Sequence, residues 1–191
     1  MKPNNIISLL VLVAVAGAGI YYFMYRTNTT SMEGNIVVIE TDKGVIKAEL
    51  RPEEAPKTVA NFTDLVGKKF YDGLVFHRVV PDFVIQGGDP KGDGTGGSGT
   101  NIPLEIKCQD GSIMEGKEVS CAVALPHSDG ALAMARSADP NSASSQFYIT
   151  LGDQAFLNGK YAVFGYVTEG KEIAHLISQG STIKRIYLEN K

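Results

Sequence analysis

The sequence predicts a mainly β domain, closed into a barrel with two helical caps, behind an N-terminal transmembrane helix. Three observations predict it. Ile6 to Tyr25 is a run of twenty residues without a charge. From Ile36 onward, short apolar segments recur between glycines and prolines. Only two stretches break that rhythm with helical spacing, and isolated helices among many short strands suit a capped barrel. Composition alone does not choose between barrel and sandwich.

The N-terminal run would span roughly 30 Å as a helix, the thickness of a bilayer's hydrocarbon. Nothing in it offers a polar face, which disfavours a core helix. A cleaved signal peptide is the competing reading, with Ala14-Val15-Ala16 or Ala16-Gly17-Ala18 as the cleavage site. The apolar run continues past both, through Ile20 to Tyr25, and places tyrosines where an aromatic belt would lie. Residues 1–26 are therefore expected to be an uncleaved signal anchor, 27–34 a polar linker and 35–191 one globular domain. Lys2 and the terminal amine precede the span and Arg26 follows it. This balance mildly favours a single-pass protein with its domain outside the cytoplasm. Secretion after cleavage is the alternative.

Ile36–Thr41 and Val45–Leu50 read as a hairpin around Asp42-Lys43-Gly44. Ile46, Ala48 and Leu50 share one face, and Lys47 and Glu49 the other. Pro56 opens a helix in which Val59, Phe62 and Val66 form an apolar stripe, ended by Gly67. Strands are expected at Leu74–Val80, Phe83–Gln86, Ala131–Ala135, Gln146–Thr150, Ala162–Val167 and Ile183–Leu188, with a second helix over Lys171–Ser178.

Several functions are disfavoured. Net charge is −3 with no basic cluster, so nucleic acid is not an expected partner. Gly92-x-Gly94-x-x-Gly97 resembles a nucleotide loop, but Pro103 follows where a helix should open; a flexible loop is the better reading. His77, His127 and His175 are scattered, so a metal site is not expected. Cys108 and Cys121 match neither a zinc ribbon nor a CxxC pair. A disulfide and two buried free thiols both remain open. Asn28-Thr29-Thr30 and Asn61-Phe62-Thr63 fit the glycosylation pattern, which is common by chance.

Three segments carry the functional signal. They are Phe76-His77-Arg78-Val79-Val80-Pro81-Asp82-Phe83-Val84-Ile85-Gln86-Gly87-Gly88-Asp89, then Leu132-Ala133-Met134-Ala135-Arg136 leading to Pro140-Asn141 and Ser145-Gln146-Phe147-Tyr148-Ile149, and last Phe156-Leu157-Asn158-Gly159-Lys160-Tyr161-Ala162-Val163-Phe164-Gly165. Together, and in this order, they resemble the cyclophilin family from about Asn35 to the end. The resemblance implies an eight-stranded antiparallel barrel and catalysed rotation about X–Pro bonds. The partners it implies are proline-containing peptides and folding proteins, and a monomer is expected; the membrane is expected as a partner only through the N-terminal helix, which lies outside the resemblance. A proline-binding module without catalysis is the second reading.

That reaction needs neither nucleophile nor cofactor. The barrier of about 18–20 kcal/mol comes from amide resonance. A donor aimed at the prolyl nitrogen binds the twisted amide better than either planar form. Arg78 matches the family's catalytic arginine; taken alone, an arginine in this setting would be an ordinary solvated residue. Phe83, Val84, Tyr148 and Leu157 match the proline slot, and Gln86 the glutamine that steadies the arginine. Ala135, Arg136, Ser137 and Gln146 match the groove for residues before proline, and Phe156 and Tyr161 its rim. His77 is expected to be structural.

Five positions depart from the commonest pattern: Val84 for methionine, Arg136 for asparagine, Tyr148 for phenylalanine, Phe156 for tryptophan and Tyr161 for histidine. Without the rim indole N–H, weaker cyclosporin inhibition is expected. Between Glu105 and Gly130 the resemblance thins. A surface insertion beside the groove is expected there, with a Cys108–Cys121 bridge as one way of pinning it.

Overall fold

In a computed structural model of the chain, residues 35–189 are described. The expected anchor and linker lie outside them. Among the described residues no helix is long and apolar enough to cross a membrane.

The strands are β1 (Ile36–Thr41), β2 (Val45–Leu50), β3 (Arg78–Val80), β4 (Val84–Gly87), β5 (Glu105–Lys107), β6 (Ile113–Glu115), β7 (Ala131–Met134), β8 (Phe147–Thr150), β9 (Val163–Glu169) and β10 (Ile183–Leu188). The helices are α1 (Pro56–Gly67) and α2 (Lys171–Leu176), with a single 3₁₀ turn at Ala155–Leu157. Eight strands form one curled antiparallel sheet in the order β10-β1-β2-β9-β7-β8-β4-β3, and β5 and β6 form a separate hairpin.

The mainly β architecture, the strand number and the two helices match expectation; full closure does not. The ladders leave β10 and β3 as sheet ends. Between them runs an irregular seam with one isolated bridge, Val75 to Thr182. A few hydrogen bonds support it, such as Phe76 N–H to the Ser181 carbonyl (2.9 Å) and Ile183 N–H to the Leu74 carbonyl (2.8 Å). The expected strand Leu74–Val80 shortens to three residues. Phe76 turns fully into the core, and at Asp82 the backbone reverses with φ +59°, so no long edge is left to pair.

The sheet's concave face holds the main core. Phe62 from α1 meets Tyr71, Phe147 and Phe164 at ring distances of 5.2, 5.7 and 5.0 Å. Helix α1 buries Thr58, Val59, Phe62, Leu65 and Val66, the expected stripe and its flanks. Its first turn has no local side-chain cap. Glu105, itself buried, supplies one from a distance by accepting from Lys57 N–H (3.2 Å), Thr58 N–H (2.9 Å) and the Thr58 hydroxyl (2.9 Å). Those N–H groups are the helix's orphan donors. Asn61 is committed as well, donating to the Ser144 carbonyl at 2.7 Å.

Candidate active site

Alternate residues of a strand face opposite sides of a sheet. Concave Ile85, Leu132, Phe147 and Ile149 therefore leave Val84, Ala133 and Tyr148 on the convex face. There a second, smaller apolar cluster forms from Val84, Ala131, Ala133, Tyr148, Leu157 and Val163. Register lines up the polar members beside it. Arg78 faces Gln86, Gln86 faces Tyr148, Tyr148 faces Ala133, and Ala133 faces Val163. One cross-strand row thus carries residues separated by up to 85 positions in sequence.

A cavity of about 400 Å³ opens on this row. Phe83, Val84, Tyr148 and Leu157 line it, together with Arg78, Gln86, Ala135, Arg136, Phe156 and Tyr161. Ser137 and Gln146 line a neighbouring, more polar cavity of about 220 Å³, with Gly94, Thr95, Gly96, Ser142 and Ser144. Gln86, Ala135 and Arg136 border both.

Arg78 is exposed, and a relay holds its head. Its Nη1 donates to Gln86 Oε1 (3.2 Å), and Gln86 Nε2 donates to Gln146 Oε1 (2.9 Å). Gln146 Nε2 donates in turn to the carbonyls of Gly94 (3.0 Å) and Gly96 (2.9 Å). The guanidinium also lies 5.5 Å from the Phe83 ring centroid, and Phe83 stacks on exposed Phe156. Gln86 and Phe83 together leave the guanidinium little freedom to swing away from the cavity.

The glycine-rich segment is a loop, as expected, but not a slack one. The Asp89 carboxylate gathers the N–H groups of Lys91 (2.8 Å), Asp93 (3.2 Å) and Gly94 (2.6 Å). Burial pushes that carboxyl up, yet the backbone N–H donors of Lys91, Gly96 and Gly94 outweigh it and hold Asp89 below its ordinary range. Gly96 is required here, because a Cβ would sit 1.9 Å from Asp89 Oδ1. This pinned loop is the anchor of the glutamine relay. The glycines and Asp89 were both visible in the sequence, but the hydrogen bonds that join them were not.

Behind the cavity floor, His127 is 2% exposed. Asn158 Oδ1 accepts from the His127 backbone N–H (2.8 Å) and lies 3.0 Å from ring Nδ1. An oxygen there makes Nδ1 the protonated nitrogen. Nε2 is then the acceptor for the Tyr148 hydroxyl at 2.9 Å. The added hydroxyl thus points away from the cavity, and the floor stays apolar. Burial lowers the His127 pKa to about 4, against a smaller opposing effect of the Asn158 hydrogen bond. Burial likewise raises the Tyr148 phenol. His77 flanks the Gly94 turn with neither ring nitrogen hydrogen-bonded, and burial lowers its pKa.

Arg136 differs most from expectation. Its side chain is only 4% exposed, and its donors are committed to protein carbonyls and to Glu118. It borders the groove but has no free donor for a peptide. Cys108 and Cys121 are disulfide-bonded, with Cα atoms 5.9 Å apart. Among the described residues no group of three or more His, Cys, Asp or Glu side chains converges as a metal site would require.

The family model described as "Cyclophilin type peptidyl-prolyl cis-trans isomerase/CLD" matches residues 36–190. The chain is a cyclophilin. This cyclophilin is 46% identical to peptidyl-prolyl cis-trans isomerase B of Bacillus subtilis over 148 residues, covering 78% of this chain and 93% of that protein. It is 36% identical to a probable peptidyl-prolyl cis-trans isomerase of Brucella suis, covering 94% of this chain and 89% of that one. Among solved structures, the Cryptosporidium parvum cyclophilin determined in the presence of the dipeptide Ala-Pro superposes with a TM-score of 0.68. It is 31% identical, and the match covers 82% of this chain and 99% of that one. The cyclophilin assignment makes this chain an enzyme, a peptidyl-prolyl cis-trans isomerase.

Proposed function

We propose that this cyclophilin isomerises X–Pro bonds in unfolded or folding chains outside the cytoplasm, from a membrane anchor, with Arg78 as its catalytic group. The observation that carries the catalytic part is the relay-held guanidinium at the mouth of an apolar cavity. The proline ring enters between Phe83, Val84, Tyr148 and Leu157, while Ala135, Ser137 and Gln146 border the path of the preceding residues. As the amide twists, its nitrogen pyramidalises and gains a lone pair. Arg78 donates to that lone pair. The interaction exists only in the twisted state, so it lowers the barrier rather than tightening ground-state binding. Phe156 and Tyr161 shield the mouth.

Arg78→Ala in the full chain, assayed by protease-coupled turnover of an Ala-Pro peptide, is expected to lose most of kcat/KM with the fold unchanged. Equal turnover would remove Arg78 from the mechanism.

The anchor reading rests on the uncharged run Ile6–Tyr25. Alkaline extraction of membranes from expressing cells should leave the full chain in the pellet. Protease added to intact cells, or to cells with a permeabilised outer layer, should remove the domain. Full release into the alkaline supernatant would sink the anchor.

A further inference from the structure

Arg136 is the most heavily bonded side chain near the groove. Nε donates to the Lys160 carbonyl (3.0 Å), and Nη2 to the same carbonyl (2.7 Å) and to Glu118 Oε1 (2.6 Å). Nη1 donates to the carbonyls of Ser137 (2.9 Å) and Ala138 (3.2 Å). All five N–H groups of the fork are used. The guanidinium also lies 4.8 Å from the ring centroid of Tyr161, which in turn meets Tyr148 edge-on at 6.0 Å. Arg136 therefore ties the backbone at 137–138 to the backbone at 160 and carries one face of the rim ring.

Glu118 is the only carboxylate paired with Arg136 among the described residues. It lies in the loop closed by the Cys108–Cys121 disulfide. The next residue, Val119, donates its N–H to the Gly159 carbonyl at 2.9 Å. Gly159, at φ +77°, lets the two backbones touch, because a Cβ there would lie 2.0 Å from the Val119 carbonyl oxygen. The disulfide-closed loop is thus seated on the turn that leads into Tyr161.

We propose that the disulfide-closed loop is a working wall of the peptide groove, with Glu118 as a positioning residue that holds Tyr161 in place through Arg136. The proposal rests on the reading of the 400 Å³ cavity as the proline slot. Without Glu118, a nearly buried guanidinium loses its counter-charge and one of its acceptors, and the carbonyls alone no longer hold it in place. It is then drawn toward water and no longer supports the Tyr161 ring. Tyr161 touches the bound peptide's flank rather than the twisting amide, so its displacement weakens ground state and transition state alike. Such a loss appears in KM and not in kcat.

The test is steady-state kinetics on the full chain for wild type, Glu118→Ala, Glu118→Gln, the Cys108→Ser/Cys121→Ser pair and the triple combination, with Arg78→Ala alongside. Glu118 is half exposed, so Glu118→Ala should raise KM by about 2- to 5-fold with kcat nearly unchanged. Glu118→Gln, which keeps an acceptor, should raise it less. The cysteine pair should raise KM in the same direction, and the triple variant no further than the larger single effect. If the cysteine variant fails to fold, reduction of the native protein by a small dithiol supplies the same arm.

An unchanged KM in Glu118→Ala, or a fall in kcat without a rise in KM, overturns the proposal. If Arg78→Ala collapses turnover in that same set, only the wall role is lost. If Arg78→Ala retains full turnover, the slot reading falls and the proposal falls with it.

Discussion

Acidification should expose the buried His127. Its ring is 2% exposed and neutral in the fold, with a pKa of about 4 against an ordinary value of 6.5. The unfolded chain therefore binds a proton between these two values that the folded chain refuses. Stability tied to the neutral ring is fully present above pH 6.5, is lost as pH falls, and is gone below about pH 4. The whole difference corresponds to about 3 kcal/mol, of which about 2 kcal/mol is already lost at pH 5. That is a large share of an ordinary domain's stability.

Buried carboxylates such as Asp89 also lose stability on acidification, but they do so lower in the pH range. His77 titrates in the same direction as His127 and would add to the slope. The His127→Gln variant separates the contributions. Urea midpoints are measured for both proteins at pH 7.5 and pH 5. Wild type should lose about 2 kcal/mol more than the variant over that interval. Parallel losses would refute the reasoning, as would an NMR titration of the native protein placing this ring near 6.5. The ring titration also serves if His127→Gln does not fold.

Two further outcomes follow from particular contacts. Glu105→Gln keeps the shape of the remote cap on α1 but removes its charge, and should cost about 1–3 kcal/mol in urea denaturation with KM for the peptide unchanged; a stability equal to wild type would mean that water caps the helix as well. Phe156→Trp restores an indole N–H at the exposed rim, and should strengthen cyclosporin inhibition roughly 3- to 10-fold. An unchanged inhibition constant would show that the missing donor is not the cause.

The sequence made the regular parts legible, because they are set by local periodicity. The alternation over Val45–Leu50 and the stripe from Val59 to Val66 each have one partner surface, and the structure gives them that surface. Leu74–Val80 read too long because apolar content marks burial as readily as it marks a strand. Phe76 is buried by turning inward, not by extending a ladder. The hairpin of β5 and β6 went unread because each strand is three residues and neither alternates over a useful length. The Glu105 cap was invisible for a different reason: its donors lie 47 and 48 positions away, beyond any local capping pattern.

At the site, the motif residues were legible singly, and the contacts among them were not. The departures at Val84, Arg136, Tyr148, Phe156 and Tyr161 look like five separate substitutions along the chain. In the structure most of them touch. His127 holds Tyr148, Tyr148 meets Tyr161 edge-on, Tyr161 lies against Arg136, and Arg136 pairs with Glu118 of the disulfide-closed loop. On the other side Phe156 stacks on Phe83, which lies under Arg78. A ring with a hydroxyl at the floor needs an acceptor behind it, and His127 supplies one. An arginine beside the groove needs carbonyls and a counter-charge, and the 137–138 edge, Lys160 and Glu118 supply them. Each unusual residue thus meets the physical requirement of its neighbour. The substrate preference of this cyclophilin should therefore follow the whole contact chain, and no single position in it.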